Sequence, residues 1–532
     1  HSALHSLPST FNLQPETFTP MTHIFLYGPP GTGKSTVGRK LAQNLNLPFI
    51  DLDRVIEEEA GMSIPQIMEQ QGEGTFRDLE TASLKKLAGE QESIVALGGG
   101  ALLRDVNRAF AEQHGRIILF MAELSTLLER LHYEAGKRPL LAGDLKPKLT
   151  ALLEKRREHY HSFPLMIHVD GKSAEQNAYQ AQLAAGRHHL SAMGEYDAVV
   201  QSRGIDQLGE MLKTRGLQNP ILVTDDNVAN LHAEKAVTAL RNSGFDPRVL
   251  TVPAGEAYKK LETISQIWKG FLEAGLDRKS TVIALGGGVI GDMSGFAAST
   301  YMRGIAWVGV PTTLLSMVDA SLGGKTGFDL PEGKNLIGAF YPPKLVLADP
   351  QLLDTLPEAE LISGMAEVVK HGIISDPELF SLCGRGLDWV KANLEEVVRR
   401  GMAVKIKVIE EDPYEKGVRA ALNLGHTVGH AVELVSRFNL RHGEAIAIGT
   451  VVEARYSAQI GRAGHGLVDA VTSSFKSLGL PVQIPDAMPR DEIIRVMRVD
   501  KKKTAKAIRF ALPVEIGKVE LVNVDDLESV LE

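Results

Sequence analysis

Two groups of residues have the types and spacing that chemistry needs. The first is Gly28-Pro-Pro-Gly31-Thr32-Gly33-Lys34-Ser35-Thr36, a complete match to G-x-x-x-x-G-K-[ST]. Glycines in such a turn let backbone N–H groups wrap phosphate oxygens, and the following helix adds the positive end of its dipole. The lysine reaches the β- and γ-phosphates and the hydroxyl ligates Mg²⁺. A glycine-rich turn with a chance lysine is the bland alternative; apolar His23–Tyr27 before it and an amphipathic run after it supply the strand and helix that the motif requires. The second group is built on histidine. His426-Thr-Val-Gly-His430 puts two imidazoles on one helix face, His442 follows in a loop, and Glu367 and His371 share the helical string Gly364–His371. One Glu and two His leave a coordination position open, as in a catalytic zinc site. Thr427 stands where an H-E-x-x-H protease carries its general base. Spacing alone does not choose two histidines from four, and His371 and His430 serve equally well as core or hydrogen-bonding residues. Lys325, Lys334, Asn335, Lys370, Lys405 and Arg419 crowd the same half, three of them in the glycine-rich strings Gly323–Lys325 and Gly333–Gly338. Ahead of them, Gly286-Gly-Gly288-Val-Ile-Gly291-Asp292 runs from a strand into a helix like a dinucleotide turn, without strict G-x-G-x-x-G spacing.

The elements that must position these residues read as two α/β segments. Short apolar runs at His23–Tyr27, Phe49–Leu52, Ile94–Leu97 and Ile117–Phe120 alternate with helical patterns, as in a buried parallel sheet. A polar, Ala- and Gln-containing stretch over 171–195 has the composition of a linker. A second series follows at Ile221–Thr224, Val249–Val252, Thr281–Leu285, Ala306–Val310 and Leu345–Ala348, and beyond Pro357 the pattern turns helical to about Leu478. The expected division is therefore 1–20 as a leader or disordered extension, 21–170 as a P-loop domain, 171–195 as linker, 196–356 as a Rossmann-type dinucleotide domain and 357–532 as a mainly helical metal- and substrate-binding domain.

Composition agrees with several domains. A single core stops growing near ~250–300 residues, and the chain has 532. A net charge of −8 argues against a nucleic-acid partner. The single cysteine, Cys383, allows no intrachain disulfide and suits a reducing, cytoplasmic setting. The most apolar stretch, Ile305 to Val318, is broken by Pro311 and threonines and falls short of the ~18 residues of a membrane helix.

After the P-loop come Asp51-Leu-Asp53, Phe76-Arg77-Asp78-Leu79-Glu80, Gly98-Gly99-Gly100 and Arg138-Pro-Leu-Leu141. In this order over about 21–170 they resemble shikimate kinase. The resemblance implies that Gly31, Thr32, Gly33, Lys34, Ser35, Thr36 and Arg138 meet ATP. Asp53, Arg77, Gly98, Gly99, Gly100 and Arg156 would form the shikimate pocket. Asp53 would orient or deprotonate the attacking hydroxyl, Arg77 would hold the carboxylate, and Arg138 would cover the transferring phosphoryl group from a lid. Ser35 would ligate Mg²⁺ directly and Asp51 through water. The neighbouring Arg157 leaves the register of Arg156 open by one.

Residues 196–532 resemble 3-dehydroquinate synthase, carried by Gly255-Glu256, Gly286–Asp292, Tyr301-Met-Arg303-Gly, Pro311-Thr-Thr313, Asp319, Gly324-Lys325, Lys334-Asn335, Gly364–Lys370, Arg419 to His430 and His442-Gly-Glu444. The family uses NAD⁺ and a divalent metal, usually zinc with cobalt as the alternative, to cyclise 3-deoxy-D-arabino-heptulosonate 7-phosphate with loss of phosphate. The resemblance implies Glu367, His426 and His442 as metal ligands. Asp226, Asn227, Glu256, Lys259, Gly287, Gly288, Asp292, Thr312, Thr313 and Lys334 would contact NAD. Asp319, Lys325, Asn335, Lys370, Lys405, Arg419, Asn423, His430 and Lys502 (or Lys501) would line the substrate pocket, with Lys325, Lys370, Arg419 and His430 catalytic. Arg303 would reach the substrate phosphate of a neighbouring subunit, which implies a homodimer. The implied chemistry is oxidation, phosphate elimination, reduction, ring opening and aldol closure, with the nicotinamide regenerated each turnover. The competing readings are another small-molecule P-loop kinase or a non-catalytic nucleotide module for the first half, and a polyol dehydrogenase or another sugar-phosphate cyclase for the second.

Overall fold

The computed structural model describes residues 23–132, 144–500 and 507–532. The stretch expected as a leader, Arg138, and Lys501 and Lys502 lie outside the described residues. The chain forms two compact units, the first ending at Ala185 and the second running from Gly186 to Glu532.

In the first unit five strands, β1 (His23–Tyr27), β2 (Phe49–Asp51), β3 (Ile94–Ala96), β4 (Gly115–Met121) and β5 (Met166–His168), form a sheet in the order β2-β3-β1-β4-β5. All its pairings are parallel. Every residue of β1 is buried, as a central strand covered on both faces requires. Leu26 pairs with Ala96, so the chain leaving β1 and the chain leaving β3 emerge side by side. That juxtaposition sets the glycine turn 98–100 beside the P-loop, at the strand ends where open α/β sheets hold ligands. The helix Ile64–Lys86 breaks at Gly72, whose φ of 84° is outside the helical region.

Residues 171–195, expected as a linker, are ordered structure. Ala174–Ala185 is a helix, and its Ala178, Ala181 and Ala185 are buried in a cluster with Ile24, Leu26, Val37 and Leu41. Small side chains make the stretch look featureless in composition while letting the helix pack closely on Lys34–Leu45. The next strand, β6 (Arg187–Leu190), belongs to the second unit and pairs antiparallel with β7 (Tyr196–Val200).

The second unit is built on a seven-stranded sheet. Beyond β7 its strands are β8 (Gln218–Asp225), β9 (Arg248–Val252), β10 (Ser280–Gly286) and β11 (Ala306–Pro311), then, after the hairpin β12 (Lys325–Leu330) and β13 (Gly333–Phe340), β14 (Leu345–Ala348). The order is β6-β7-β14-β11-β10-β8-β9. Helices Glu358–Ser375, Leu394–Glu411, His426–Val435 and His442–Gln459 follow, and a second hairpin, β15 (Ile508–Glu515) with β16 (Lys518–Val524), closes the described chain. One apolar cluster joins Val308, Val310, Leu314 and Val318 to Met365, Val369, Ile373, Val398 and Met402. The expected boundary at 356 thus crosses a shared core. His442, expected in a loop, is the first residue of its helix. Among the described residues no helix is long and apolar enough to cross a membrane.

Candidate active sites

In the first unit the P-loop leaves β1 at Gly28. A Cβ there would lie 2.1 Å from the Phe120 carbonyl oxygen at a φ of 136°, so only glycine fits. Gly33, also left-handed, precedes the helix that starts at Lys34. The Lys34 ammonium donates to the carbonyls of Gly28 and Pro29 at 2.8 and 3.0 Å. Thr32 donates to the Pro29 carbonyl, and Thr36 follows in the helix. Ser35 Oγ donates to Asp51 Oδ2 at 2.6 Å, bringing the two expected Mg²⁺ contacts together.

The glycine turn meets the remaining expected residues. A Cβ on Gly98 would lie 2.8 Å from Asp53 Oδ1 and 3.0 Å from Glu80 Oε1, and one on Gly100 would lie 2.8 Å from the Arg77 guanidinium. Arg77 donates to Glu80 Oε2 at 2.9 Å. Burial pushes the Glu80 carboxyl above its ordinary range, with Arg77 opposing. The carbonyl of Gly99 accepts from Arg156 at 2.7 Å and from Tyr160 at 2.9 Å. Arg156 is buried, whereas Arg157 is exposed and pairs with Glu154. Glu80, which locks the Arg77 fork, was not singled out from sequence; its i+3 spacing from Arg77 was the available signal. Arg130, whose guanidinium donates to the Gly31 carbonyl at 3.3 Å, carried no motif signal.

In the second unit the glycine turn leaves β10 and enters the helix Gly288–Thr300. Gly287 lies against Thr313, and a Cβ on Gly288 would sit 3.2 Å from Ala320. Thr312 donates its N–H to the Gly286 carbonyl. Asp226 and Asn227 open the short helix that follows β8, capped by Asp225, and Glu256 opens a turn after β9. Buried Lys259 donates to Asp292 at 2.7 Å and to Asn335 at 2.6 Å. Lys334 lies 3.7 Å from Glu256, 4.0 Å from Glu433 and over the Phe438 ring. Eight of the ten expected dinucleotide contacts therefore follow the carboxyl ends of β8 to β11, while Asp292 lies on the adjoining helix and Lys334 on the hairpin.

Three helices bring Glu367, His426 and His442 together, with their ligand atoms within 4.8 Å of one another. His426 Nε2 is 3.5 Å and His442 Nε2 3.6 Å from Glu367 Oε1. His426 Nδ1 donates to the Leu424 carbonyl at 3.1 Å, which leaves the Nε2 lone pair facing the carboxylate. Burial is the largest influence on His426 and holds it well below its ordinary pKa. Burial opposes ionisation of Glu367, but Lys370 and the two imidazoles outweigh it and hold the carboxyl well below its usual range. For His442 burial opposes protonation, and the carboxylates of Glu367 and Glu433 overcome it, raising the imidazole to about 9. Lys370 forms an ion pair with Glu367 Oε2, while Glu367 Oε1 faces the two imidazoles. A carboxylate and two imidazoles turned onto one point, with their ligand atoms this close, fit a divalent cation.

Around this group, Lys405 donates to Asp319 at 2.5 Å. Burial opposes ionisation of Asp319, and Lys405 overcomes it, holding the carboxyl near 2. His371 is fully buried, 4.0 Å from Asp319, and burial lowers it to about 4. With Asp319 and Glu367 it forms a second group of ligand atoms within 4.8 Å of one another. His430 stands 5.0 Å from His426 and 5.8 Å from His442, ring centre to ring centre. Arg419 is buried against Gly323 and donates to the Pro413 carbonyl. Lys325 pairs with Glu415 at 2.7 Å, and Asn423 also hydrogen-bonds that carboxylate. Arg303 is exposed on the turn after the helix Gly288–Thr300, at a φ of 69°. Glu415 and Glu433 were not singled out from sequence: an acid on a helix or loop reads as a solvated face until the fold turns it inward.

Comparison with known proteins finds matches in both units. A family model described as Shikimate kinase matches residues 30–185. Models described as 3-dehydroquinate synthase N-terminal and C-terminal match 249–363 and 364–503. A 3-dehydroquinate synthase of Nostoc punctiforme is 43% identical over 336 residues, covering 62% of this chain and 93% of that protein. A 2-deoxy-scyllo-inosose synthase solved with carbaglucose-6-phosphate, NAD⁺ and Co²⁺ is 26% identical, at a TM-score of 0.59, over 65% of this chain and 99% of its own. A shikimate kinase of Acinetobacter baumannii, solved with shikimate, is 35% identical over 32% of this chain and 95% of its own, at a TM-score of 0.30. The chain thus belongs to the 3-dehydroquinate synthase family, with a shikimate kinase module fused ahead of the synthase.

Proposed function

We propose that this chain catalyses two reactions of the shikimate pathway in two modules that divide at residues 185 and 186. The first is ATP-dependent phosphorylation of shikimate, and the second is cyclisation of the heptulosonate phosphate to 3-dehydroquinate. The observation that carries the synthase reading is the convergence of Glu367, His426 and His442 beside Lys370, Lys405 and Asp319. These three residues would hold zinc or cobalt, and the residues at the ends of β8 to β11 would hold NAD⁺. When bound, the nicotinamide supplies reversible hydride transfer and the divalent ion supplies Lewis acidity toward substrate hydroxyls.

The protein's own residues orient the substrate. Lys370 and Lys405, drawn together over Glu367 and Asp319, present two ammonium groups to an anionic substrate. Arg419, Asn335, Asn423 and His430 complete the pocket, with Lys502 as a further phosphate contact. Lys325 must exchange Glu415 for substrate. Exposed Arg303 reaches the phosphate of a neighbouring subunit, so the working form is a homodimer. In the kinase module, Asp53 positions the attacking hydroxyl, while Arg77 and Arg156 hold the shikimate carboxylate. Lys34 and Arg138 neutralise the transferring phosphoryl group, and Ser35 and Asp51 hold Mg²⁺. The enzyme works in the cytoplasm.

The test is to assay the purified chain with both substrate sets before and after chelation. Cyclisation should fall with metal removal and return with zinc or cobalt, and no NADH should accumulate. Stoichiometric NADH release would instead indicate a polyol dehydrogenase.

A further inference from the structure

Among the described residues, one carboxylate touches both halves of the synthase site and has no part in the mechanism above. Glu433 lies on the helix His426–Val435, two turns after the ligand His426. Its Oε2 is 3.2 Å from His442 Nδ1, the ring nitrogen turned away from Glu367. Its Oε1 is 4.0 Å from the Lys334 ammonium, which also stands 3.7 Å from Glu256. The Glu433 side chain is only 13% exposed, against 46% for Lys334. One partly buried anion therefore has two cationic claimants, a histidine facing the metal position and a lysine facing the dinucleotide position.

We propose that Glu433 is a positioning residue that orients His442 and couples metal binding to dinucleotide binding through Lys334; the inference rests on the site assignment made above. Because Glu433 accepts from Nδ1–H, the proton that a metal displaces is the one on Nε2, the nitrogen turned toward Glu367. A divalent cation that takes the place of the Nε2 proton adds one net positive charge on the His442 side of Glu433. Glu433 is then held more firmly by His442 and less by Lys334. Lys334 becomes freer to meet an anionic dinucleotide phosphate. Coupling of this kind is reciprocal, so the dinucleotide must tighten metal binding by the same factor. The path is short, but Lys334 is half exposed and screened, so the factor belongs at the low end, about fivefold.

The experiment measures Co²⁺ affinity by chelator competition, and NAD⁺ affinity with and without Co²⁺, for the wild type and for Glu433→Gln. The glutamine keeps an acceptor for Nδ1–H but removes the charge that Lys334 senses; thermal melting confirms that it folds. Wild type should bind NAD⁺ about fivefold tighter when loaded with Co²⁺. Glu433→Gln should bind Co²⁺ about tenfold more weakly and, once saturated with it, show no such response. Glu433→Ala, which removes the acceptor as well, should weaken Co²⁺ binding further and alter the visible spectrum of the bound ion. A Glu433→Gln protein with wild-type Co²⁺ affinity, or one whose NAD⁺ affinity still responds to Co²⁺ as wild type does, overturns the proposal. A wild-type chain that binds no Co²⁺ at all would refute the site assignment itself, a different outcome.

Discussion

At the scale of single residues, both sites depend on charges held apart from water until a ligand arrives. Lys34 rests on two loop carbonyls, groups weaker as partners than a triphosphate. Lys34→Ala should lower shikimate phosphorylation by at least about a thousandfold, a loss of about 4 kcal/mol in transition-state stabilisation. Cyclisation should be unchanged, because Lys34 belongs to the other compact unit. Parallel assays of the two reactions on one preparation check this, and loss of both in a folded protein would refute independent modules. The metal site gives a pH prediction. His442 in the metal-free protein titrates near 9, raised above its ordinary value, so it is protonated at neutral pH, while a metal requires the neutral ring. Metal binding at neutral pH should therefore release about one proton, and affinity should rise about tenfold per pH unit up to about 9. Calorimetry in buffers of different ionisation enthalpy measures that proton; none released would mean that His442 is neutral in the apo protein.

At the scale of elements, the metal group is a packing result. Glu367 and His442 come from helices that touch where a glycine allows it. A Cβ on Gly443 would lie 1.8 Å from the Ser363 carbonyl oxygen, one helical turn before Glu367. Gly443→Ala must push these helices apart, at a cost of about 1–3 kcal/mol, and should weaken metal binding at least about tenfold. Gly466→Ala, in a helix where the new methyl meets open space, serves as the control and should be neutral or slightly stabilising. Metal titration and thermal melting of both variants decide the matter; a Gly443→Ala protein with wild-type affinity would show that the helices can yield. The same close contact explains what could be read in advance. His426 and His430 were legible because one helix sets their spacing, and Glu367 because its string carries a family pattern. Glu433 and Glu415 were not, since the first is turned inward by how helices cross and the second by a bend at a φ of 58°. Buried strands such as β1 and β10 announced themselves as apolar runs. The hairpin strand β13 did not, because most of its residues face solvent and its sequence is glycine-rich.

At the scale of the whole molecule, the question is what the fusion does. In the family's pathway the cyclised product must be dehydrated and reduced before a kinase can use it, so the two reactions are not consecutive. A tether raises effective concentration only when the second site binds what the first releases. The fusion should therefore serve co-expression or recruitment of other enzymes, and each module should work alone if cut in the right place. Composition suggests cutting within 171–195, but the fold argues against it. Ending the first piece at residue 170 removes the helix Ala174–Ala185 and uncovers Val37 and Leu41 in the P-loop helix. Starting the second at 196 removes β6 and leaves the β7 edge open. Pieces 21–185 and 186–532 should each retain the steady-state activity of the full chain, while 21–170 and 196–532 should melt at lower temperature or aggregate. Expressing all four and comparing activity and melting with the intact protein tests both claims. If 21–185 or 186–532 folds but is inactive until its counterpart is added, then one module completes the other and the independence of the two sites is wrong.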